Sequence, residues 1–285
     1  MALKQVCVCG AGIMGHGIAQ VAAMAGLKVS LYDVSDEFAK KGVDRIAKQL
    51  NGQVEKGKMS AEERDAVVSR ITPRSDLAQA AGGADFVIEA APEKMEVKLD
   101  LFARLDQLCE PETVLASNTT ALSIAEMSAA TKRPDKVVGM HFFNPAQVMK
   151  LVEVIKSPNT SDETVAITVD LAKAMGKTPV TLNEFPGFIV TRILAPMINE
   201  AFYALMEGVA TAEDIDTAMK LGTNFPMGPL QLADFMGLDT TLAAIRTLNR
   251  EFADSKYRPC PLLVNLVRAG KLGAKTGEGV YKYGK

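Results

Sequence analysis

Two histidines, His16 and His141, are the only imidazoles in 285 residues, so histidine acid–base chemistry near neutral pH has few places to sit. His141 follows the apolar run Lys136 to Met140, at the carboxyl end of a predicted strand, where open α/β sheets bind ligands. Twelve residues on, Glu153 interrupts a second apolar run, Leu151 to Ile155, and a carboxylate flanked by Val152 and Val154 is costly to bury without a partner. Between them Asn144-Pro145 is a turn signal that lets the chain double back and set Glu153 beside His141. Such a pair forms a general base and its orienter, able to take a hydroxyl proton while hydride leaves the same carbon. The same pattern also suits a Glu153 that alternates outward on a half-exposed strand and a His141 satisfied at a strand end. His16 falls in the first turn of a helix beside a glycine turn and reads as a loop or capping residue.

Hydride transfer needs an acceptor. Gly10-Ala11-Gly12-Ile13-Met14-Gly15 matches G-x-G-x-x-G between the apolar run Gln5 to Cys9 and a helical pattern from Ile13 to Ala25. In that setting the first glycine allows the tight turn and the second lets a pyrophosphate approach the backbone. The third lets helix and strand pack, and the helix N-terminus offers free N–H groups to phosphate. Asp33, 18 residues after Gly15 at the end of the next strand, suits the two ribose hydroxyls and repels a 2'-phosphate. The expected cofactor is therefore NAD rather than NADP.

The elements that must carry these residues read as strand, helix and strand in the first thirty or so residues, one right-handed parallel unit. Asp36 to Ser69 is a charged helical pair broken at Gly52 and Gly57, its second helix opened by a capping box, Ser60 with Glu63. Strands are expected at Phe86 to Ala90, Thr113 to Ala116, Lys136 to Met140, Leu151 to Ile155 and Pro179 to Leu182, with helices at Lys94 to Leu108, Ser123 to Ala130 and Ser161 to Met175. This predicts an α/β fold, a Rossmann-type doubly wound sheet with an inserted helical pair over residues 1–185. Past Phe185-Pro186-Gly187 only helical periodicity remains, so residues 186–285 form an all-α domain. Its first helix, about Phe188 to Met206, contains Pro196 and is apolar around most of its girth, which suits a homodimer built through this domain.

Composition narrows the partners. The chain is 48% hydrophobic and 23% charged with a net charge of -2, which offers no field for nucleic acid or an anionic membrane. No apolar run is long enough to span a bilayer, and no basic leader opens the chain. Cys7, Cys9, Cys109 and Cys260 have neither metal-site spacing nor disulfide density, so no metal is expected and a cytoplasmic, reducing setting fits.

Six segments give a more specific indication: Gly10 to Gly15, Ser117-Asn118-Thr119-Thr120, His141-Phe142-Phe143-Asn144-Pro145, Leu151-Val152-Glu153, Pro186-Gly187-Phe188-Ile189-Val190, and Phe225-Pro226-Met227-Gly228-Pro229-Leu230. In this order they resemble the L-3-hydroxyacyl-CoA dehydrogenase family across essentially the whole chain, most closely its bacterial members that act on 3-hydroxybutyryl-CoA. The resemblance implies reversible NAD-dependent oxidation of a (3S)-hydroxyacyl-CoA to the 3-ketoacyl-CoA, with His141 as base and Glu153 as its orienter. It implies that Ser117 meets the substrate oxygen near the histidine, that Asn144 lies at the nicotinamide and substrate, and that Glu93 and Lys98 contact the cofactor. Lys275 resembles a lysine reaching the cofactor from the second domain. The family carries asparagine after Phe-Ile-Val, near the substrate carbonyl; Thr191 stands there instead, keeping a hydroxyl but losing an amide's reach and paired donors. Lys41, Arg45 and Lys48 share one helix face, with Lys56 and Lys58 at the turn, suitable for the phosphates of CoA and equally for a solvated face; Lys56 is the expected direct contact. Two other readings share the fold: a dehydrogenase of free 3-hydroxy acids, which would rely on a lysine of the helical domain, and a non-catalytic NAD-binding protein.

Overall fold

The structure is a computed structural model that describes residues 3–284, and it divides into two compact units between Glu184 and Phe185. The first unit alternates strands and helices: β1 (Gln5–Cys9), α1 (Ile13–Met24), β2 (Lys28–Tyr32), α2 (Asp36–Glu55), α3 (Ala61–Ser69), β3 (Ile71–Arg74) and α4 (Leu77–Ala81). It continues through β4 (Phe86–Glu89), α5 (Met95–Leu108), β5 (Val114–Ser117), α6 (Ile124–Ala129), β6 (Val137–Phe142), β7 (Leu151–Lys156), α7 (Asp162–Ala174) and β8 (Thr178–Asn183). The strands form one eight-stranded sheet in the order β3-β2-β1-β4-β5-β6-β7-β8. β1 to β6 are mutually parallel, β7 runs antiparallel to β6, and β8 is parallel to β7.

Strands β1, β4, β5 and β6 are buried along nearly their whole length, as a sheet covered on both faces requires. Val6, Val8, Phe86, Ile88, Val114 and Ala116 join Ile18, Ala22 and Leu50 in its core. The chain leaves β1 to build β2 and β3 on one side and then crosses back to β4 on the other, so the carboxyl ends of β1 and β4 flank a topological switch point. Ser35, Ser60, Asp76, Ser123 and Ser161 each cap a helix N-terminus with a side-chain oxygen, and Ser60 and Glu63 complete the expected capping box.

Three features differ from the sequence expectation. α2 runs unbroken through Gly52, because an interior helical glycine costs only about 1 kcal/mol against alanine while Ala39, Ile46 and Leu50 bury one face of the helix. Ile71–Arg74 is a strand despite Pro73; β3 is the edge of the sheet, where a missing N–H is tolerated. β6 extends to Phe142, so His141 lies inside a strand rather than after its end.

The second unit is helical: α8 (Val190–Met206), α9 (Ala212–Thr223), α10 (Pro229–Met236), α11 (Leu238–Phe252) and α12 (Pro261–Arg268). Ile198, Phe202, Leu230, Leu242, Ile245 and Leu263 form its separate core. Among the described residues no helix is long and apolar enough to cross a membrane.

Candidate active site

Strands β6 and β7 pair with His141 directly opposite Glu153. Facing residues in an antiparallel pair hold their Cβ atoms within about 5.5 Å, so this register delivers the two side chains to each other. Gly139 makes the close approach feasible, since a Cβ there would lie 2.7 Å from the Cβ of Ile155, its cross-strand neighbour. The His141 Nδ1 is 2.8 Å from the Glu153 Oε2, with His141 5% and Glu153 1% exposed. A carboxylate there fixes the proton on Nδ1 and makes Nε2 the basic nitrogen. The Phe143 ring packs against the imidazole with centroids 4.5 Å apart.

Two residues without an assigned role in the sequence reading brace this corner. The Phe142 N–H donates to the Asn118 Oδ1 at 2.8 Å, so the Ser-Asn-Thr run ties β5 to the strand that bears His141. Lys177, immediately before β8, is buried and donates to the carbonyls of Ala146 and Met149, which holds the loop after Asn144-Pro145. Burial pushes the Lys177 ammonium below the usual lysine range. Asn144 itself is exposed on that loop.

The glycine turn has the shape a dinucleotide needs. Gly10 has φ 110°, and a Cβ on it would lie 2.5 Å from the Ala90 carbonyl oxygen; a Cβ on Gly15 would lie 1.7 Å from the Gly10 carbonyl oxygen. α1 starts at Ile13 and Met14 with glycine at its N-cap, no capping side chain and no acid in its first turn, so the positive end of its dipole is left for a phosphate. Asp33 accepts the Ala11 N–H at 2.8 Å and the Val34 N–H at 2.7 Å, which fixes its carboxylate beside the turn. His16 is a buried brace, its Nδ1 donating to the Gly12 carbonyl at 2.6 Å and its Nε2 meeting Gln49 of α2.

Ser117, Lys98 and Glu93 are joined in one cluster around Glu89. Ser117 has no exposed surface, and its hydroxyl donates to the Glu89 Oε2 at 2.5 Å. Its single proton is therefore committed to Glu89, and its oxygen accepts the Thr119 N–H at 3.2 Å. Lys98 is 1% exposed and lies between two carboxylates, 2.6 Å from Glu89 and 3.3 Å from Glu93. Glu93 accepts the Thr119 hydroxyl at 2.5 Å and the Thr120 N–H at 2.8 Å, and its side chain stays half exposed.

Lys56 ends α2 on an open groove of about 530 Å³ lined also by Lys48, Gln49, Gln53 and Lys58. In the second unit, Thr191 is half-buried in the first turn of α8, next to Arg192, whose guanidinium lies 4.6 Å from the centre of the Phe252 ring. Lys275 donates to both oxygens of Asp239, at 2.6 and 2.8 Å, within the same unit. Among the described residues no group of three or more His, Cys, Asp or Glu side chains is arranged to hold a metal.

Residues 5–185 match the model of the 3-hydroxyacyl-CoA dehydrogenase NAD-binding domain, and residues 187–283 match that of the 3-hydroxyacyl-CoA dehydrogenase C-terminal domain. The chain is 54% identical over 283 residues to a probable 3-hydroxybutyryl-CoA dehydrogenase of Bacillus subtilis, covering 99% of this chain and 98% of that one. It is 44% identical to the human mitochondrial hydroxyacyl-coenzyme A dehydrogenase, covering 99% of this chain and 91% of that one. The crystal structure of an (S)-3-hydroxybutyryl-CoA dehydrogenase from Ralstonia eutropha superposes with a TM-score of 0.96 at 46% identity, covering 100% of both chains. An oriented imidazole, a dinucleotide turn and two matched domains in sequence converge on one conclusion: the chain belongs to the 3-hydroxyacyl-CoA dehydrogenase family, and it is an NAD-dependent oxidoreductase of 3-hydroxyacyl-CoA.

Proposed function

We propose that the substrate is short, (3S)-3-hydroxybutyryl-CoA oxidised reversibly to acetoacetyl-CoA, with His141 as general base and acid and Glu153 as its orienter. The observation that carries the acid–base assignment is the buried 2.8 Å contact between His141 Nδ1 and Glu153 Oε2. With Nδ1–H held by Glu153, Nε2 takes the substrate hydroxyl proton, and the carboxylate stabilises the imidazolium that results. In the reducing direction the imidazolium returns that proton to the ketone oxygen. Bound NAD supplies the hydride acceptor, held at Gly10, Gly12, Ile13, Met14, Gly15 and Asp33, with Glu93 and Asn144 as further contacts. Short acyl length is supported by the 3-hydroxybutyryl-CoA names of the relatives that align over the full chain.

Lys56 and Lys48 suit the phosphates of the CoA arm, being exposed cations on an open groove. Replacing Lys56 by alanine is expected to raise KM for acetoacetyl-CoA about threefold, the scale of one exposed ion contact, without moving KM for NADH. Equal KM values in mutant and parent would remove Lys56 from the site.

Exposed apolar residues of the second unit, including Ile193 of α8, Leu221 and Phe235, support a homodimer through this domain, to be checked by sedimentation at micromolar concentration. All four cysteines are free and buried, which supports a reducing, cytoplasmic setting.

The test follows NADH consumption with acetoacetyl-CoA and, separately, with free acetoacetate. Turnover is expected with the thioester alone. Thr191→Asn is expected to raise kcat/KM about tenfold, the worth of one well-placed hydrogen bond. No turnover from either chain would refute the catalytic reading.

A further inference from the structure

The proposed acid–base pair makes no use of Glu89, a carboxylate with no exposed surface at the end of β4. Its Oε1 accepts the Ala91 N–H and the Lys98 ammonium, each at 2.6 Å, and its Oε2 accepts the Ser117 hydroxyl. Lys98 also faces Glu93 at 3.3 Å. Two carboxylates thus share one ammonium, and the cluster keeps one net negative charge. Lys98 with Glu93 alone would be neutral; Glu89 supplies the excess. Stability does not require this, since a buried ion pair is often matched or bettered by apolar residues of similar volume.

The location gives the charge a use. β4 pairs with β1 so that Glu89 lies level with Cys9, at the foot of the glycine turn. Asp33, on the far side of that turn, follows β2. A dinucleotide with its pyrophosphate over Gly10 to Gly15 and its adenosine ribose at Asp33 extends its other half away from β2, across the carboxyl ends of β4 and β5. That half carries the nicotinamide, cationic when oxidised and neutral when reduced.

We propose that Glu89, acting through Lys98 and Glu93, sets the electrostatic preference of this site for the oxidised over the reduced cofactor. Glu89 is a positioning residue: it holds the ammonium and prevents Lys98 from cancelling the outer carboxylate. The surrounding burial reduces screening and lengthens the reach of the charge.

Calorimetric titration with NAD+, NADH and ADP-ribose, which lacks the nicotinamide, tests this on the full chain and on Glu89→Gln and Glu93→Gln. In Glu89→Gln the ratio of Kd for NAD+ to Kd for NADH is expected to rise about tenfold, as one unit charge is removed at low screening. In Glu93→Gln, which is half in water and keeps the fold if Glu89→Gln does not, the rise is expected to be about threefold. Kd for ADP-ribose should stay level in Glu89→Gln, whose side chain is buried and meets no ligand. A ratio unchanged in both variants overturns the proposal, as does a loss of ADP-ribose affinity in Glu89→Gln equal to that of NAD+, which would show a fold effect. No acyl-CoA and no step at His141 enters the measurement, so its outcome is separate from that of the acid–base assignment.

Discussion

In His141→Gln, kcat for acetoacetyl-CoA reduction should fall about a thousandfold, within the usual span for a positioned acid–base group, while Kd for NADH holds. Glutamine is chosen over alanine because its amide can still donate to Glu153. Truncation would deprive a carboxylate that is 1% exposed of its imidazole partner and cost stability as well as chemistry. Neither nitrogen nor oxygen of that amide can accept and return a proton near neutral pH, so folding and proton transfer separate. Cofactor affinity should be spared because the dinucleotide turn follows β1, three strands away from β6 in the sheet. Glu153→Gln should retain more activity, a loss of about a hundredfold, because it keeps an acceptor for Nδ1–H and removes only the charge that favours the imidazolium. The measurement is single-turnover absorbance with saturating NADH. More than a tenth of the parent rate in His141→Gln would place the base elsewhere.

The pairing of β6 with β7 was legible because two local costs pointed one way: a carboxylate between two valines needs a partner, and Asn-Pro supplies the turn that brings one. The residue-for-residue register was not, since it depends on Gly139 leaving room for the Ile155 side chain across the sheet. Glu89 escaped notice because a glutamate at the end of an apolar strand, before Ala-Ala-Pro, reads as the solvated edge of a loop. Its partner carried the missed signal. Lys98 lies at helical spacing from Leu101, Phe102 and Leu105, all buried on α5, so periodicity alone puts an ammonium on the core face. Such an ammonium demands a carboxylate, and Glu89 is the buried one of the two within reach. The partner of Ser117 was hidden for the complementary reason: a family motif locates a segment, whereas a hydroxyl's single proton is assigned only when its neighbours are known. Pro73 hid an edge strand because a proline is informative only once the strand's place in the sheet is fixed.

The largest expected stability loss lies in the second unit, where two buried aspartates hold the C-terminal segment through neutral donors. Asp234 is 1% exposed; its Oδ1 accepts the Val280 N–H at 2.9 Å, and its Oδ2 accepts the Tyr281 N–H at 2.9 Å and the Tyr283 hydroxyl at 3.0 Å. Asp216 likewise takes the N–H groups of Leu230 and Gln231 at the start of α10, together with the Tyr281 hydroxyl at 2.8 Å. Both oxygens of Asp234 face backbone donors, so Asp234→Asn meets a donor–donor conflict in either orientation of the amide and loses the charge that strengthens the bonds. Unfolding free energy from urea titration should drop by about 3 kcal/mol, and a drop below about 1 kcal/mol would show that the segment is held by other contacts. The same contacts set an alkaline limit. Burial and then the Asp216 carboxylate push the Tyr281 phenol above the usual tyrosine range, and burial and then Asp234 do so for Tyr283. The folded chain therefore keeps protons that the unfolded chain releases above about pH 10, and this contribution to stability is lost as pH rises through the folded-state values. Tyr283→Phe should remove part of that alkaline slope while leaving the slope below about pH 9 unchanged, because a phenylalanine has no proton for the unfolded chain to release.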